Sequence, residues 1–208
     1  MTEFSSHETR WGMRFLLFVL SLAATSLALA VQPIGGTVYR DSTGVYLSVN
    51  TDQKCKVFTV ETKSEDAAMS VRKLSTGDTL TASGLLDTET CIASIESVDY
   101  VGLKKLLGYW YTQEGIITVS DFNSLSFYPI NMKDFQNGKD LSQIDPITYR
   151  YSLTPSDGKE WVLFLSDSTS TLFATIFFNK NNATMRIYDS ENGDIVKTLR
   201  LSKWGKLK

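Results

Sequence analysis

The sequence predicts an all-β protein, with one short helix, in which a five-stranded barrel is followed by an eight-stranded barrel. Three observations predict this class. Thirteen short runs are rich in β-forming residues and alternate between apolar and polar side chains, as strands with one buried face do. Gly, Asn and Asp, which are common turn residues, separate these runs. A helical period of more than two turns occurs in one stretch only, after residue 64.

The overall composition is that of a globular protein with balanced charge. Of the 208 residues, 42% are hydrophobic, and 21 Lys and Arg residues stand against 23 Asp and Glu residues. Without a basic excess, the chain lacks the electrostatic footprint of a nucleic-acid-binding protein. We therefore expect no nucleic-acid partner.

A signal peptide is predicted over residues 1–30. Its second half carries no charge, follows Arg10 and Arg14, and ends in a small-x-small tripeptide at 28–30 that a signal peptidase accepts. The alternative is a membrane anchor, although a spanning helix needs about 20 apolar residues. Cleavage would leave a periplasmic or secreted chain without a stable membrane span, and it would remove His7, the single histidine.

The two cysteines, Cys55 and Cys91, are predicted to form a disulfide. An even pair in an exported chain is normally oxidised. Closing a loop of about 37 residues stabilises the fold by about 3–4 kcal/mol in the chain-entropy model. The alternative role, as a thiol nucleophile or a metal ligand, would lack a histidine or a third cysteine as partner.

The first domain is predicted over residues 31–107. Ser64 is a good helix N-cap, two acids follow it, and a helix of about ten residues should end near Gly77. Strand-like runs lie on both sides of this helix, which gives the order β-β-β-α-β-β. The runs are 37–40, 45–49, 56–60, 79–86 and 91–98.

This order resembles that of the OB-fold, a five-stranded Greek-key barrel with its helix between the third and fourth strands. The run 77–87 is similar to the fourth strand of small bacterial OB domains, with Gly84 at the point where the strand bends. The resemblance implies a small barrel that presents a ligand-binding face. A generic small β-barrel is the alternative interpretation.

The second domain is predicted over residues 108–208 as an up-and-down barrel. Eight strand-like runs are joined by short connections with hairpin residues, which favours antiparallel neighbours in chain order. These runs are 109–113, 116–120, 124–130, 147–153, 161–166, 171–178, 184–189 and 195–201. The one long connection, 131–146, is a candidate lid or binding loop, or else a solvated surface loop.

The tripeptide Gly108-Tyr109-Trp110 at the head of this barrel resembles the start of lipocalin-like and avidin-like barrels. The later pattern, 149–153 followed by 161–165, is similar to bacterial lipocalin-like domains. The resemblance implies a ligand-binding barrel, and it implies that a basic residue near the last strand, here Arg200, covers Trp110.

Successive side chains of a strand point to opposite faces of the sheet, so the apolar residues at every second position identify the side chains that face the interior of this barrel. They would line a cavity for a small apolar or glycan ligand, with tyrosine hydroxyls as polar contacts. The alternative is a barrel packed solid by its own side chains, which would suit an envelope protein-interaction or inhibitor module. The candidate ligand-binding residues are Trp110, Phe127, Tyr149, Tyr151, Trp161 and Arg200.

The catalytic possibilities are few, because cleavage of the signal peptide removes the histidine. Histidine-dependent triads and dyads, histidine-ligated zinc and glycine-rich phosphate loops are all missing from the remaining sequence. We therefore expect a binding protein without catalytic residues, metal or cofactor. A carboxylate-based glycoside hydrolase is the remaining enzymatic alternative. Its candidate acids are Glu61, Asp99, Glu114 and Asp121.

Overall fold

The computed structural model describes residues 31–138 and 140–204, which form two closed barrels. The predicted all-β class and both barrels are confirmed. The predicted signal peptide, with His7, lies outside the described residues. Five strands form the first barrel: β1 (Gln32–Arg40), β2 (Val45–Ser48), β3 (Val57–Thr62), β4 (Thr79–Asp87) and β5 (Ile92–Gly102).

The first barrel closes in the order β1-β2-β3-β5-β4, with β4 pairing back to β1. The pair β3–β5 is parallel and the other pairs are antiparallel. Helix α1 (Glu65–Lys73) lies between β3 and β4 along the chain. The Ser64 side chain caps it by accepting from the Ala67 amide at 3.2 Å. The helix ends before the predicted Gly77, which has a φ of +94° and leads into β4.

The second barrel is antiparallel throughout and has eight strands. The connection 131–146 holds a second short helix, α2 (Met132–Gln136), which composition alone did not predict. The strands are β6 (Gly108–Tyr111), β7 (Ile116–Val119), β8 (Ser124–Tyr128), β9 (Ile147–Pro155), β10 (Trp161–Ser166), β11 (Thr171–Asn179), β12 (Asn182–Tyr188) and β13 (Ile195–Lys203). The barrel closes in the order β10-β11-β12-β13-β6-β7-β8-β9.

The two barrels have different cores. That of the first is aliphatic with one aromatic ring, Phe58, whereas that of the second contains Trp110, Tyr151 and Trp161. All four of these side chains are 4% exposed or less. Because apolar burial stabilises by about 25 cal/mol per Å², each buried tryptophan contributes more to stability than one of the smaller aliphatic side chains.

The predicted disulfide is present. Cys55 and Cys91 are bonded, with their Cα atoms 5.6 Å apart. Cys55 precedes β3 and Cys91 precedes β5, so the bond joins the starts of the two parallel strands of the first barrel.

A short 3₁₀ turn, Lys104–Leu106, joins the two barrels. Leu103, just before the turn, and Leu106, its last residue, are buried at 0% and 2% exposure. The Tyr100 hydroxyl of β5 donates to the Phe122 carbonyl between β7 and β8. Gly102 has to be glycine, because a Cβ there would lie 2.6 Å from the Phe122 ring. The barrels are therefore packed directly on each other.

Across the described part of the chain, no helix has the length and apolar character needed to cross a bilayer.

Candidate functional site

Three of the predicted ligand-binding residues lie in the core of the second barrel. Trp110, Tyr151 and Trp161 are 1%, 4% and 2% exposed. The Trp110 Nε1 donates to the Leu106 carbonyl at 2.7 Å, and the Tyr151 hydroxyl donates to the Asp121 carbonyl at 3.0 Å. Side chains that line a chamber large enough for a ligand retain solvent-accessible surface, whereas these three side chains have almost none. This part of the barrel is filled by its own side chains.

Two other predicted residues, Phe127 and Tyr149, lie at the opposite end of the same barrel. Phe127 is near the end of β8 and Tyr149 is near the start of β9, so antiparallel pairing brings them to one rim. Both are half-buried, as are the inward-facing Leu172 and Ile187 at this rim. We call this rim the open end, and the rim next to the first barrel the junction end.

The predicted role of Arg200 is wrong. Arg200 is exposed, because on β13 it alternates with the buried Leu201 and faces outward. The basic residue over Trp110 is Lys203, which has the inward parity and whose Nζ lies 5.1 Å from the ring centroid. Its Nζ also donates to the Lys105 carbonyl at 2.7 Å.

Two further lysines cover aromatic rings at the junction end. The Lys105 Nζ lies 4.5 Å from the Phe178 centroid and 5.8 Å from that of Trp161. The Lys73 Nζ lies 5.7 Å from the Trp161 centroid and donates to the Ser156 carbonyl. Ammonium groups over ring faces are stabilised by the ring quadrupole. These lysines cover the junction end of the second barrel.

Burial changes the acidity of these ammonium groups. It lowers the pKa of Lys73, Lys105 and Lys203, because the charged form loses solvation. Asp78 partly opposes the lowering of the Lys105 pKa, and Lys73 adds to it by repulsion. The same physics raises the pKa of Tyr151, since a phenolate there would be poorly solvated and would face the nearby Tyr100 and Asp121.

An open cleft of about 540 Å³ lies where the two barrels meet. Its walls are helix α1, the second half of β5 and the end of β9. This size is within the range of small-molecule sites, which favour the boundaries between domains. The cleft is the candidate functional site.

Two β-bulges bring acidic residues to the lining of this cleft. The register of β4 against β5 skips Glu96 and Asp99, so each is an extra residue in its strand. A bulge re-aims a side chain and is common beside binding sites. Asp66 at the start of α1 adds a third carboxylate. The Asp99 carboxylate accepts from the Ser83 hydroxyl at 2.9 Å, which holds it in place.

The same cleft has an apolar component. Met69 and Val98 contribute from the first barrel, and Leu153 and Pro155 contribute from the second. Both barrels are needed to complete it. An arrangement of carboxylates beside apolar side chains suits a ligand that has a cationic group and an apolar body.

The four acids considered for hydrolysis each have a local structural partner. Glu61 pairs with Lys63 at 3.1 Å, and Glu114 pairs with Lys197. Asp121 accepts from the backbone amides of 123 and 124, which lowers the pKa of its carboxyl. A general acid needs a raised pKa, so Asp121 is unsuited to that role.

Within the described residues, no group of three or more His, Cys, Asp or Glu side chains is arranged to hold a metal ion. Comparison of the chain with protein-family models, curated proteins and solved structures finds no match.

Sequence reasoning missed the cleft, although it named Asp99. The bulges cannot be read from a single alternating pattern, because an extra residue looks like an ordinary strand residue. The signal that was present is the break in alternation at Glu96-Ser97, two adjacent polar residues in an otherwise alternating run.

Proposed function

We propose that the protein is an exported binding protein, without catalytic activity, that holds its ligand in the cleft between the barrels. The ligand combines an apolar body with a cationic group, as in an alkylamine or a basic peptide side chain. The observation that carries this proposal is the cleft itself, where bulges in β5 set Glu96 and Asp99 beside apolar side chains from both barrels. Export is supported by the disulfide, a bond typical of oxidising compartments.

We also propose that the two barrels are related to known folds. The strand order of the first barrel and the helix between β3 and β4 support an OB-like origin. The eight antiparallel strands that follow Gly108 support a lipocalin-like origin for the second barrel. A binding site between two such barrels would have replaced the interior cavity that the lipocalin resemblance implies.

A fluorescent alkylamine such as dansylcadaverine tests the proposed ligand class. The probe should bind saturably, and its N-acetylated form, which has no charge, should bind more weakly. Glu96→Gln should weaken binding of the charged probe by about tenfold, because it removes a charge-assisted hydrogen bond. Glu61→Gln, an acid on β3 outside the cleft, is the matched control and should leave binding unchanged.

Two outcomes would overturn the proposal. One is equal binding to the Glu96→Gln and unaltered proteins. The other is loss of binding in Tyr149→Ala, which would move the site to the open end of the second barrel.

The second candidate function is a protein-interaction module with a solid barrel. It is favoured by the filled junction half of the second barrel, where Trp110, Leu163 and Ile176 are almost completely buried. Such a barrel would present its outer surface to a partner, in place of an interior cavity.

A further inference from the structure

An apolar row crosses the outer face of the second barrel. It consists of one residue from each of four neighbouring strands, and each residue is directly paired with the next. In order across the sheet they are Phe164 (β10), Phe173 (β11), Tyr188 (β12) and Ile195 (β13). Directly paired residues project from the same face of a sheet. The ring centroids of Phe164 and Phe173 are 5.5 Å apart, and those of Phe173 and Tyr188 are 5.3 Å apart. We call these four residues the outer row.

The outer row is accessible to solvent. Phe164 is 41% exposed, Ile195 is 53% exposed, and the bulged Val196 beside it is 61% exposed. Phe173 and Tyr188 are half-buried by their own neighbours in the row. With strands about 4.8 Å apart, the row is about 14 Å long. A continuous apolar strip of this kind is typical of a surface that another molecule covers.

The charges at the two ends of the outer row are opposite. Arg150 of β9 lies at the Phe164 end, is exposed, and is displaced two residues toward the open end of the barrel. At the other end, the turn from Tyr188 to Ile195 carries Glu191 and Asp194, both exposed and displaced in the same direction. The third acid of this turn, Asp189, accepts from the amides of 191 and 192.

These positions are complementary to themselves under one symmetry operation. The axis is a two-fold that runs parallel to β11 in the plane of the interface. It reverses the order of the strands across the interface, so the β10 side of one copy faces the β12 side of the other. It leaves positions along the strand direction unchanged, so the open ends of both barrels lie on the same side. It brings Phe173 against Phe173 and Phe164 against Tyr188 of the other copy. It also brings Arg150 of each copy toward the acidic turn 189–194 of the other. This is the isologous contact of a two-fold dimer.

We propose that the outer row is covered by a second copy of this chain, in a two-fold dimer closed at each end by Arg150 and the acidic turn. The two sheets pack face to face at about 10 Å, with their strands nearly aligned. The proposed ligand cleft, which includes Leu153 and Pro155 at the junction end of β9, stays outside this interface.

Sedimentation equilibrium of the segment 31–208, which forms a compact unit of its own, tests the dimer. The mass should rise from one chain to two with increasing concentration. Phe164→Glu should raise the dimer dissociation constant at least a hundredfold, because it puts a charge where the aromatic ring of Phe164 packs against Tyr188 of the other copy. Tyr109→Glu alters a residue of β6 that is 55% exposed and lies outside the row, and it should leave association unchanged.

A charge-reversal pair tests the orientation of the two copies. Arg150→Glu and Glu191→Arg should each weaken the dimer about tenfold, and combining them in one chain should restore it. A monomer at all concentrations up to about 1 mM overturns the proposal, as does a dimer that survives Phe164→Glu. Failure of the combined variant to recover overturns the orientation. Probe binding in the cleft should be the same in Phe164→Glu, so failure of the dimer and failure of the proposed function are separable.

Discussion

The two barrels reach stability by different means. The first barrel, of five strands, closes over an aliphatic core and carries the disulfide between Cys55 and Cys91. The second has eight antiparallel strands and buries Trp110, Tyr151 and Trp161. Small domains bury a smaller fraction of their surface and often need a covalent link. The comparison indicates that covalent linkage supplements the core of the first barrel, whereas the second depends on packing and hydrogen bonds.

The distribution of tryptophan makes this comparison measurable. The three tryptophans after residue 30, namely Trp110, Trp161 and Trp204, all belong to the second half of the chain. Their fluorescence therefore reports the second barrel. Hydrogen exchange of backbone amides in β1–β5 reports the first barrel separately.

The largest expected effect comes from removing the disulfide. The double variant Cys55→Ser/Cys91→Ser should lose about 3–4 kcal/mol of stability in the first barrel, because the unfolded chain regains the freedom of a loop of 37 residues. Amides of β1–β5 should then exchange at lower denaturant than is needed to change the tryptophan fluorescence. Reduction of the unaltered protein is the matched control and should act in the same direction. Equal shifts of both signals would contradict the comparison, because the barrels would then unfold as one unit.

Much of this two-barrel fold could be predicted from the sequence, because the signals that predict it depend on residues close together in the chain. The parity of Tyr149, Tyr151 and Leu153 correctly separates inward from outward side chains. Turn residues locate the hairpins, and Ser64 with its following acids locates the helix. Each of these signals depends on a few neighbouring residues, so no knowledge of the rest of the chain is needed.

The candidate site could not be predicted, because it depends on contacts between distant residues. The cleft combines Met69 from α1 with Leu153 from β9, and only the packing of the two barrels brings them together. The error at Arg200 has a similar cause. The lipocalin resemblance specifies a basic residue near the last strand, but the residue with inward parity that reaches Trp110 is Lys203.

A smaller effect should come from the buried phenol at the junction end of the second barrel. Tyr151→Phe removes the hydrogen bond to the Asp121 carbonyl and should cost about 1 kcal/mol at neutral pH. The folded pKa of Tyr151 is raised above 10, so its contribution is present below pH 10 and is lost as the pH rises above that value. Denaturant titrations at several pH values should show the stability gap between the two proteins closing above about pH 10.

The control for this measurement is Tyr109→Phe, which removes an exposed phenol from the same barrel. It should leave the stability at neutral pH unchanged and should not alter the decline above pH 10. A gap between Tyr151→Phe and the unaltered protein that stays constant up to pH 12 would show that the Tyr151 hydroxyl is better solvated than its burial indicates.

The smallest effect is expected at Lys105, which links the two barrels. The Lys105 ammonium is stabilised by the Phe178 and Trp161 rings and destabilised by its loss of solvation. Because these two effects oppose each other, Lys105→Met should change the free energy of unfolding by less than about 1 kcal/mol at neutral pH. The pH dependence is more informative. Because the folded pKa of Lys105 lies below 10.5, the unfolded state holds more protons between that pKa and 10.5. This residue therefore makes stability rise with pH in that window, opposite in sign to Tyr151. Lys73 and Lys203 act in the same direction, so Lys105→Met should reduce the rise without abolishing it. Lys104→Met, at the neighbouring lysine, should preserve it. If tryptophan fluorescence shows the rise undiminished in Lys105→Met, the Lys105 ammonium does not lie desolvated over the Phe178 and Trp161 rings.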